Sequence, residues 1–203
     1  MTEIFWNDRY LTNKTEWDLK QVSPPLKTFI DELKNKNQKI LIPGCGNAYE
    51  AGYLINSGFH QVTLVDISTV LIEKLKQKFA NQPIKIIMGD FFHLEESYDL
   101  ILEQTFFCAI NPELRPDYVK QAYKLLKPGG RIAGLLFNTE FNQQGPPFGG
   151  NQTEYEKLFK PYFELVQLGE SKNSVLPRQG RELFFEFFKK KSINVIHQNS
   201  KHI

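Results

Sequence analysis

The chain has 203 residues, of which 41% are hydrophobic and 24% are charged, and its formal net charge is +2. These values predict one soluble globular domain with a sizeable core, and they argue against nucleic acid or a membrane surface as the partner. No apolar run approaches the roughly 20 residues that are needed to cross a bilayer.

Cysteine and histidine are both scarce. Cys45 and Cys108 make neither a disulfide framework nor a zinc site, so we expect them to pack as small buried residues. The histidines show no ligand spacing, and we expect no bound metal. The first residues lack the basic and then apolar pattern of a secretory signal, which predicts a reducing, cytoplasmic setting.

Aromatic residues stand out in the N-terminal segment and in the chain as a whole. Residues 1–23 are polar but carry Trp6, Tyr10 and Trp17, and Pro24-Pro25 ends the segment. The 17 Phe residues predict an aromatic core or, alternatively, an aromatic chamber for a substrate.

Helix and strand patterns alternate after this segment. The spacing of apolar residues predicts helices at 26–35, 48–57, 69–80, 115–126 and 152–160. Short apolar runs predict strands at 39–43, 61–66, 84–88, 98–103, 131–137, 162–168 and 182–188. Asn47 and Ser68 are expected to cap helices, and Lys127-Pro128-Gly129-Gly130 to end one. Residues 1–191 form the predicted single domain, and 192–203 lack pattern and are predicted to be a flexible tail.

This alternation predicts an α/β fold, doubly wound, in which helices cover both faces of a mostly parallel sheet and the last two strands are antiparallel. Right-handed crossovers bring the carboxyl ends of parallel strands to one edge, where ligands bind. Gly44, Asp66, Asp90 and Glu103 each follow or end a predicted strand. We therefore expect these four residues to meet at one site.

The ligand is suggested by the loop Gly44-Cys45-Gly46 and the acidic Asp66. Glycines allow the backbone to approach a ligand, and a carboxylate at the end of the next strand suits a ribose diol. Tyr49 stands where a dinucleotide loop needs its third glycine, and Glu50 opposes a pyrophosphate at the helix start. The loop therefore favours a ligand without phosphates, such as S-adenosylmethionine, over a nicotinamide dinucleotide.

Several motifs resemble those of class I S-adenosylmethionine-dependent methyltransferases. They are Pro43-Gly44-Cys45-Gly46, Asp66, Gly89-Asp90-Phe91-Phe92 and Leu125-Leu126-Lys127-Pro128-Gly129-Gly130. A closer resemblance is to the thiopurine methyltransferase superfamily, including its plant halide and thiol methyltransferase branch, over residues 6–188. Its motifs are Trp6-x3-Tyr10-x6-Trp17-Asp18, Thr105-Phe106-Phe107-Cys108-Ala109-Ile110-Asn111-Pro112, Arg115-Pro116 and Gly145-Pro146-Pro147-Phe148.

The resemblance implies a Rossmann-like, seven-stranded sheet of order 3-2-1-4-5-7-6 with its last-inserted strand antiparallel, and an N-terminal lid at 1–25. It also implies a set of site residues. Those expected to bind the cofactor are Trp6, Tyr10, Trp17, Gly44, Gly46, Asp66, Asp90, Phe91, Glu103 and Gln104. Those expected on the acceptor side are Arg115, Phe148 and Tyr10.

Within that set, Asp66 is expected to hold the ribose, Asp90 and Phe91 to frame the adenine, and Glu103-Gln104 to close the pocket near the reacting centre. The chain departs from the plant branch at Tyr10, where Trp is usual, and at Glu103-Gln104, where Asp-Tyr is usual. Structural alternatives remain open for these positions. The acidic residues could be turn or capping residues, and the tryptophans could simply anchor the packing. Arg115 could be a surface cation at the start of a helix.

The resemblance implies direct in-line transfer of a methyl group from S-adenosylmethionine to a small soft nucleophile, leaving S-adenosylhomocysteine. A thiol, thiopurine, halide or thiocyanate would need little or no general base. The alternatives are an inactive cofactor-binding sensor or scaffold and a nicotinamide-dependent oxidoreductase. Gly145-Pro146-Pro147-Phe148 resembles the Pro-Pro-aromatic signature of enzymes that methylate amino groups of nucleic-acid bases. Those enzymes carry it at the end of the fourth strand, whereas here it follows the fifth, so it does not indicate that activity. We expect a monomer acting on a small molecule.

Overall fold

Strands and helices alternate along residues 1–191, the part of the chain that the computed structural model describes. The strands are β1 (Ile40–Pro43), β2 (Val62–Asp66), β3 (Ile84–Met88), β4 (Tyr98–Gln104), β5 (Leu126–Phe137), β6 (Phe163–Glu170) and β7 (Glu182–Lys189). The helices are α1 (Glu3–Leu11), α2 (Pro24–Glu32), α3 (Tyr49–Asn56), α4 (Thr69–Lys78), α5 (Arg115–Leu125) and α6 (Gln152–Phe159). The tail predicted at 192–203 lies outside the described residues.

All seven strands belong to one sheet of order β3-β2-β1-β4-β5-β7-β6. The first five run parallel to one another, and β7 is antiparallel to both of its neighbours. This arrangement confirms the predicted fold, including the strand order and the antiparallel insertion.

The sheet divides two hydrophobic cores. The face that carries α2, α3 and α4 is mainly aliphatic around Ile40, Ile42 and Leu64. The opposite face packs against α5 and α6 and is rich in rings, among them Phe159, Phe185 and Phe187. Central strands buried on both faces need continuous apolar runs, and all four residues of β1 are buried for this reason. The aromatic core predicted from the composition lies largely on the α5 and α6 face.

Three local predictions were wrong or incomplete. Helix α1 was not predicted, although Trp6 and Tyr10 have the four-residue spacing of one helix face. The helix begins after Thr2, whose side chain accepts a hydrogen bond from Phe5 N at 3.3 Å. Asn47 does not cap α3, whose first residue follows a left-handed Ala48. Strand β5 begins at Leu126 and takes in the predicted helix end at 127–130, since Tyr98 pairs with Leu126.

The cap predicted at Ser68 is confirmed. Its side chain begins α4 by accepting from Leu71 N at 3.1 Å.

Among the described residues, no helix combines the length and apolarity required to span a membrane.

Gly134 in β5 lies opposite Glu103 in β4 and leaves no room for a side chain. A Cβ there would lie 2.1 Å from the Glu103 carbonyl oxygen, which is backbone and cannot move aside. We expect Gly134→Ala to lower the free energy of unfolding by about 1–3 kcal/mol, since overpacking of a buried sheet strains it. Gly169→Ala in the edge strand β6 is the control, because a Cβ at that position would meet nothing within 4 Å. Chemical denaturation of both variants checks this, and equal stability would contradict it.

Candidate active site

A cavity of about 730 Å³ opens at the carboxyl edge of the parallel strands. Its walls come from the loops after β1, β2, β3, β4 and β5, from the N-terminal segment and from the turn before β7. All but one of the residues expected to bind a cofactor line it, and Glu103 is the exception. The lining members of that set are Trp6, Tyr10, Trp17, Gly44, Gly46, Asp66, Asp90, Phe91 and Gln104.

The loop after β1 is a tight turn built from left-handed residues. Gly44 has φ +52°, Gly46 has φ +50° and Ala48 has φ +51°. At Gly44 a Cβ would lie 2.3 Å from the Phe106 ring, so a side chain is excluded both by conformation and by space. The turn thus keeps bare backbone against the cavity where the predicted ligand would pass.

Asp66 ends β2 and lines the cavity beside this loop. Its Oδ1 accepts from Ser68 N at 2.9 Å, which orients the carboxylate. Desolvation raises the pKa of Asp66 to about 6, although backbone N–H groups at Ser68, Gly46 and Ile67 oppose the shift. A partly desolvated carboxylate that can accept further hydrogen bonds is stabilised by hydroxyl donors such as those of a ribose.

Asp90 has the capping role considered for it and also lines the cavity. Its Oδ1 accepts from Phe92 N at 3.0 Å and so caps a short 3-10 helix (Phe91–His93). The same residue lines the cavity. Phe91 is buried, and its ring stacks on Tyr118 with centroids 5.1 Å apart.

The N-terminal aromatics form a cluster over the cavity. The Trp17 ring meets Trp6 edge-on at 5.6 Å and Tyr10 edge-on at 6.0 Å. Tyr10 is buried, and burial followed by the nearby Asp66 charge raises the pKa of its phenol far above the ordinary value, so it stays neutral. Edge-to-face contacts of this kind fix ring orientation.

Helix α1 is tied to the cofactor side of the sheet through Asn7. Asn7 Oδ1 accepts from Ser68 Oγ at 2.7 Å and from Val70 N at 3.2 Å, and its Nδ2 donates to Thr69 Oγ1 at 2.9 Å. These partners begin α4, two residues after Asp66. The position of the N-terminal segment is therefore coupled to the turn that holds that carboxylate.

Glu103 does not line the cavity, contrary to its predicted place near the reacting centre. Its side chain is fully buried, and its oxygens accept from Phe106 N and Phe107 N at 2.8 Å and from Tyr118 Oη at 2.6 Å. It supports the wall from behind by fixing the turn that carries Phe106. Alternation along β4 gives the reason, because its neighbour Gln104 faces the cavity instead.

Arg115 and Phe148 also lie outside the cavity lining. Arg115 is 2% exposed, so it is not the surface cation considered as an alternative. Its guanidinium pairs with Glu154 Oε1 at 2.6 Å, donates to the Gly149 carbonyl at 2.8 Å and covers the Phe107 ring at 4.9 Å. Phe148 N donates to the Cys108 carbonyl at 2.7 Å. Both residues thus hold the loop that brings Pro146 and Pro147 to the cavity.

The far end of the cavity is aromatic, amide-bearing and cationic. Phe137 and Phe141 meet edge-on at 5.0 Å, and the Arg181 guanidinium lies 5.2 Å from the Phe141 ring centroid. Gln143 and Gln144 complete this wall. We call this region the acceptor end.

Asp18 and Arg178 were missed as functional candidates. Asp18 Oδ2 accepts from Asn47 Nδ2 at 2.8 Å and from Tyr49 Oη at 3.3 Å. Arg178 contacts the N-terminal segment from the other side of the cavity mouth. The only sequence signal was the Trp17-Asp18 motif for the first residue and the four-residue spacing of Arg178 and Glu182 for the second.

Comparisons with known proteins agree with this geometry. The family model described as Thiopurine S-methyltransferase matches residues 1–195. "Probable thiol methyltransferase 2" of Arabidopsis thaliana is 34% identical, over 87% of this chain and 81% of that protein. Thiocyanate methyltransferase 1 of Brassica oleracea is 30% identical, over the same shares of the two chains.

Among solved structures, a Burkholderia thailandensis enzyme has a similar fold. It is 1,6-didemethyltoxoflavin-N1-methyltransferase, solved with 1,6-didemethyltoxoflavin and S-adenosylhomocysteine bound. The match has a TM-score of 0.73 at 17% identity and covers 93% of this chain and 87% of that one.

Glu103 should make stability depend on pH. Burial raises its pKa to about 7 from an ordinary 4.5. The folded chain therefore holds this proton more tightly than the unfolded chain, and the resulting stability is fully present below about pH 4.5 and lost as the pH rises through 7. Glu103→Gln cannot ionise, so its free energy of unfolding should fall less between about pH 5 and about pH 8, by up to about 3 kcal/mol.

Urea denaturation at the two pH values measures this difference. Tyr118→Phe is the control, because it removes one hydrogen bond but keeps the carboxylate, and it should retain the wild-type direction of change. The same pH dependence in Glu103→Gln as in the wild type would show that the carboxyl group does not titrate in this range.

Proposed function

The chain belongs to the thiopurine S-methyltransferase family, and we propose that within it this protein transfers a methyl group from S-adenosylmethionine to a small thiol. The family assignment makes it a methyltransferase that uses S-adenosylmethionine and acts on small soft nucleophiles. One observation carries the narrower proposal. A single cavity joins a ribose-type carboxylate at a glycine turn to an acceptor end of aromatic rings and a guanidinium.

The residues at the cofactor side fit an adenosyl ligand. The desolvated Asp66 carboxylate has acceptor capacity left for ribose hydroxyls. The glycine turn presents backbone that a Cβ at position 44 would block. Gln104 Oε1 is buried among the cavity walls and has no hydrogen-bond partner in the described protein. An unpartnered buried amide oxygen is unfavourable, so a donor supplied by a ligand would stabilise it.

When bound, the cofactor supplies a sulfonium methyl group that a nucleophile can displace in line. The chain's own residues contribute binding and alignment. We assign Asp66 to the ribose, Gly44 and Gly46 to close backbone approach, and Asp90 with Phe91 to the adenine side. Alignment of this kind can contribute several kcal/mol, up to roughly 7–11 for ideal geometry.

The N-terminal segment 1–25 is assigned the role of a lid. Its indole faces, Trp6 and Trp17, would attract a cation by about 0.5–2 kcal/mol and would exclude water. At the acceptor end, Phe137 and Phe141 provide an apolar wall, and the Arg181 guanidinium favours an anionic nucleophile. A thiol of moderate acidity is already partly ionised to thiolate at neutral pH, so its methylation needs no dedicated base. The apolar and cationic walls of the acceptor end suit such a thiolate.

We also propose that the protein works in the cytoplasm and takes no nucleic acid. The supporting facts are the small net charge of +2 and two buried free cysteines. Burial raises the pKa of both thiols, which keeps them unreactive.

Methyl transfer from labelled S-adenosylmethionine to a panel of thiols, thiopurines, iodide and thiocyanate tests the acceptor. We expect product with a thiol and a rate that rises as the pH approaches the thiol pKa, because the thiolate is the nucleophile. Cofactor binding without transfer to any acceptor would support a sensor or scaffold instead. Transfer only to iodide or thiocyanate would place the protein with the halide-type members.

Asp66 provides a separate test of the cofactor side. Asp66→Asn should weaken S-adenosylhomocysteine binding about 10- to 100-fold, because hydrogen bonds to a charged acceptor are worth about 1.5–3 kcal/mol. Wild-type affinity should also fall as the pH drops through about 6, where this carboxylate becomes protonated. Calorimetric titration at several pH values measures both effects. A variant that binds as tightly as the wild type would show that the ribose lies elsewhere.

A further inference from the structure

The segment that carries Trp17, residues 16–21, crosses the mouth of the cavity, and we call it the strap. Arg178 Nη2 donates to the Trp17 carbonyl oxygen at 2.7 Å, and Arg178 Nη1 pairs with Glu182 Oε1 at 3.1 Å. We propose that Arg178, held by Glu182, is a positioning residue that fixes the strap and so sets the Trp17 ring against the bound cofactor.

The pair is built like a structural support for the strap. The side chains of Arg178 and Glu182 are 9% and 3% exposed. Separating them would leave a buried charge without its partner, which is strongly unfavourable. Glu182 begins β7 directly opposite Phe137 of β5, and the Arg178 guanidinium lies 5.6 Å from that ring. The sheet therefore fixes the carboxylate, the carboxylate fixes the guanidinium, and the guanidinium fixes the strap.

The opposite side of the strap is held by the glycine turn. Asp18, the residue after Trp17, accepts hydrogen bonds from Asn47 in the turn and from Tyr49, the first residue of α3. The strap thus connects two parts of the cavity wall that are far apart in sequence. Arg178 provides the connection to the acceptor end, and Asp18 provides the connection to the cofactor side.

These two connections together fix the position of the Trp17 ring. It contacts both Trp6 and Tyr10, and all three rings line the cavity. A strap released from Arg178 would let Trp17 move, and the other two rings would lose their common neighbour. We therefore expect weaker cofactor binding, both in Arg178 variants and in variants of Glu182, which does not line the cavity as Arg178 does.

Arginine suits this position better than lysine. A planar guanidinium can donate to a carboxylate and to a carbonyl oxygen in fixed directions while covering an aromatic ring. A lysine ammonium on a flexible stem would keep the charge but would not hold the same two acceptors in that geometry. Arg178→Lys is therefore a charge-conserving test of positioning.

The test compares Arg178→Lys and Glu182→Gln with Glu186→Gln. Glu186 lies on the same strand and pairs with Arg131 at 2.6 Å, beside the rings of Phe29 and Phe188. It belongs to neither the strap nor the cavity lining, so it controls for loss of a β7 ion pair. Calorimetry with S-adenosylhomocysteine and thermal unfolding are measured on all three variants and the wild type.

We expect about a tenfold loss of S-adenosylhomocysteine affinity in Arg178→Lys, a smaller loss in Glu182→Gln and none in Glu186→Gln. Intrinsic fluorescence gives an independent readout, because the chain has only two tryptophans and both line the cavity. Emission from the ligand-free Arg178→Lys protein should shift to the red as Trp17 becomes more exposed, and emission from Glu186→Gln should not.

The proposal would be overturned if Arg178→Lys and Glu182→Gln kept wild-type affinity and emission. It would also be overturned if Glu186→Gln lost as much affinity as they do. If Arg178→Lys fails to fold, the isosteric Glu182→Gln decides the matter by the same two readouts, because Glu182 does not line the cavity. The inference needs only cofactor binding. A protein that binds S-adenosylhomocysteine normally but methylates no thiol would contradict the proposed acceptor and leave this test intact.

Discussion

The carboxyl ends of the parallel strands meet at one edge of the sheet, and the site depends on this constraint. Strands β1, β2, β3 and β4 each end with a residue or turn that lines the same cavity. Hydrogen bonds between neighbouring strands hold the strand ends, so the loops that follow them start from fixed positions. A glycine turn, two acidic residues and a glutamine separated by up to sixty positions in sequence are thereby brought around one ligand-sized space.

Buried ionisable side chains hold the walls of that space in place. Glu103 fixes the turn that carries Phe106, and Arg115 fixes the loop that carries Pro146 and Pro147. Arg178 holds the strap in the same way. Each of these groups is almost fully buried and has several hydrogen bonds, which is the condition under which a buried charge is tolerated. A rigid wall of this kind suits a reaction in which alignment of the reactants is the main contribution of the protein.

Much of the fold followed from local pattern. Apolar runs indicated the central strands β1, β2 and β4, because strands buried on both faces admit few polar residues. They also indicated β3, which is a partly exposed edge strand. Ser68 was recognisable as a cap, and Gly44 and Asp66 were recognisable as cavity residues from their place after strands. Helix α1 was not predicted, and its position depends on Asn7 and on aromatic contacts outside the helix. The same reason explains Asn47, whose amide donates to Asp18 instead of capping α3.

The sequence alone predicted the strands and the residue types that end them, and these residue types indicated the kind of ligand. The order of the strands followed from the family resemblance. Only the tertiary structure decided which of those residues face the cavity. Glu103 and Gln104 are adjacent in sequence, yet the pleat turns one toward Tyr118 and the other toward the ligand space. Arg115 donates to a carbonyl oxygen 34 positions away and Arg178 to one 161 positions away, and contacts between such distant positions leave no local periodicity in the sequence.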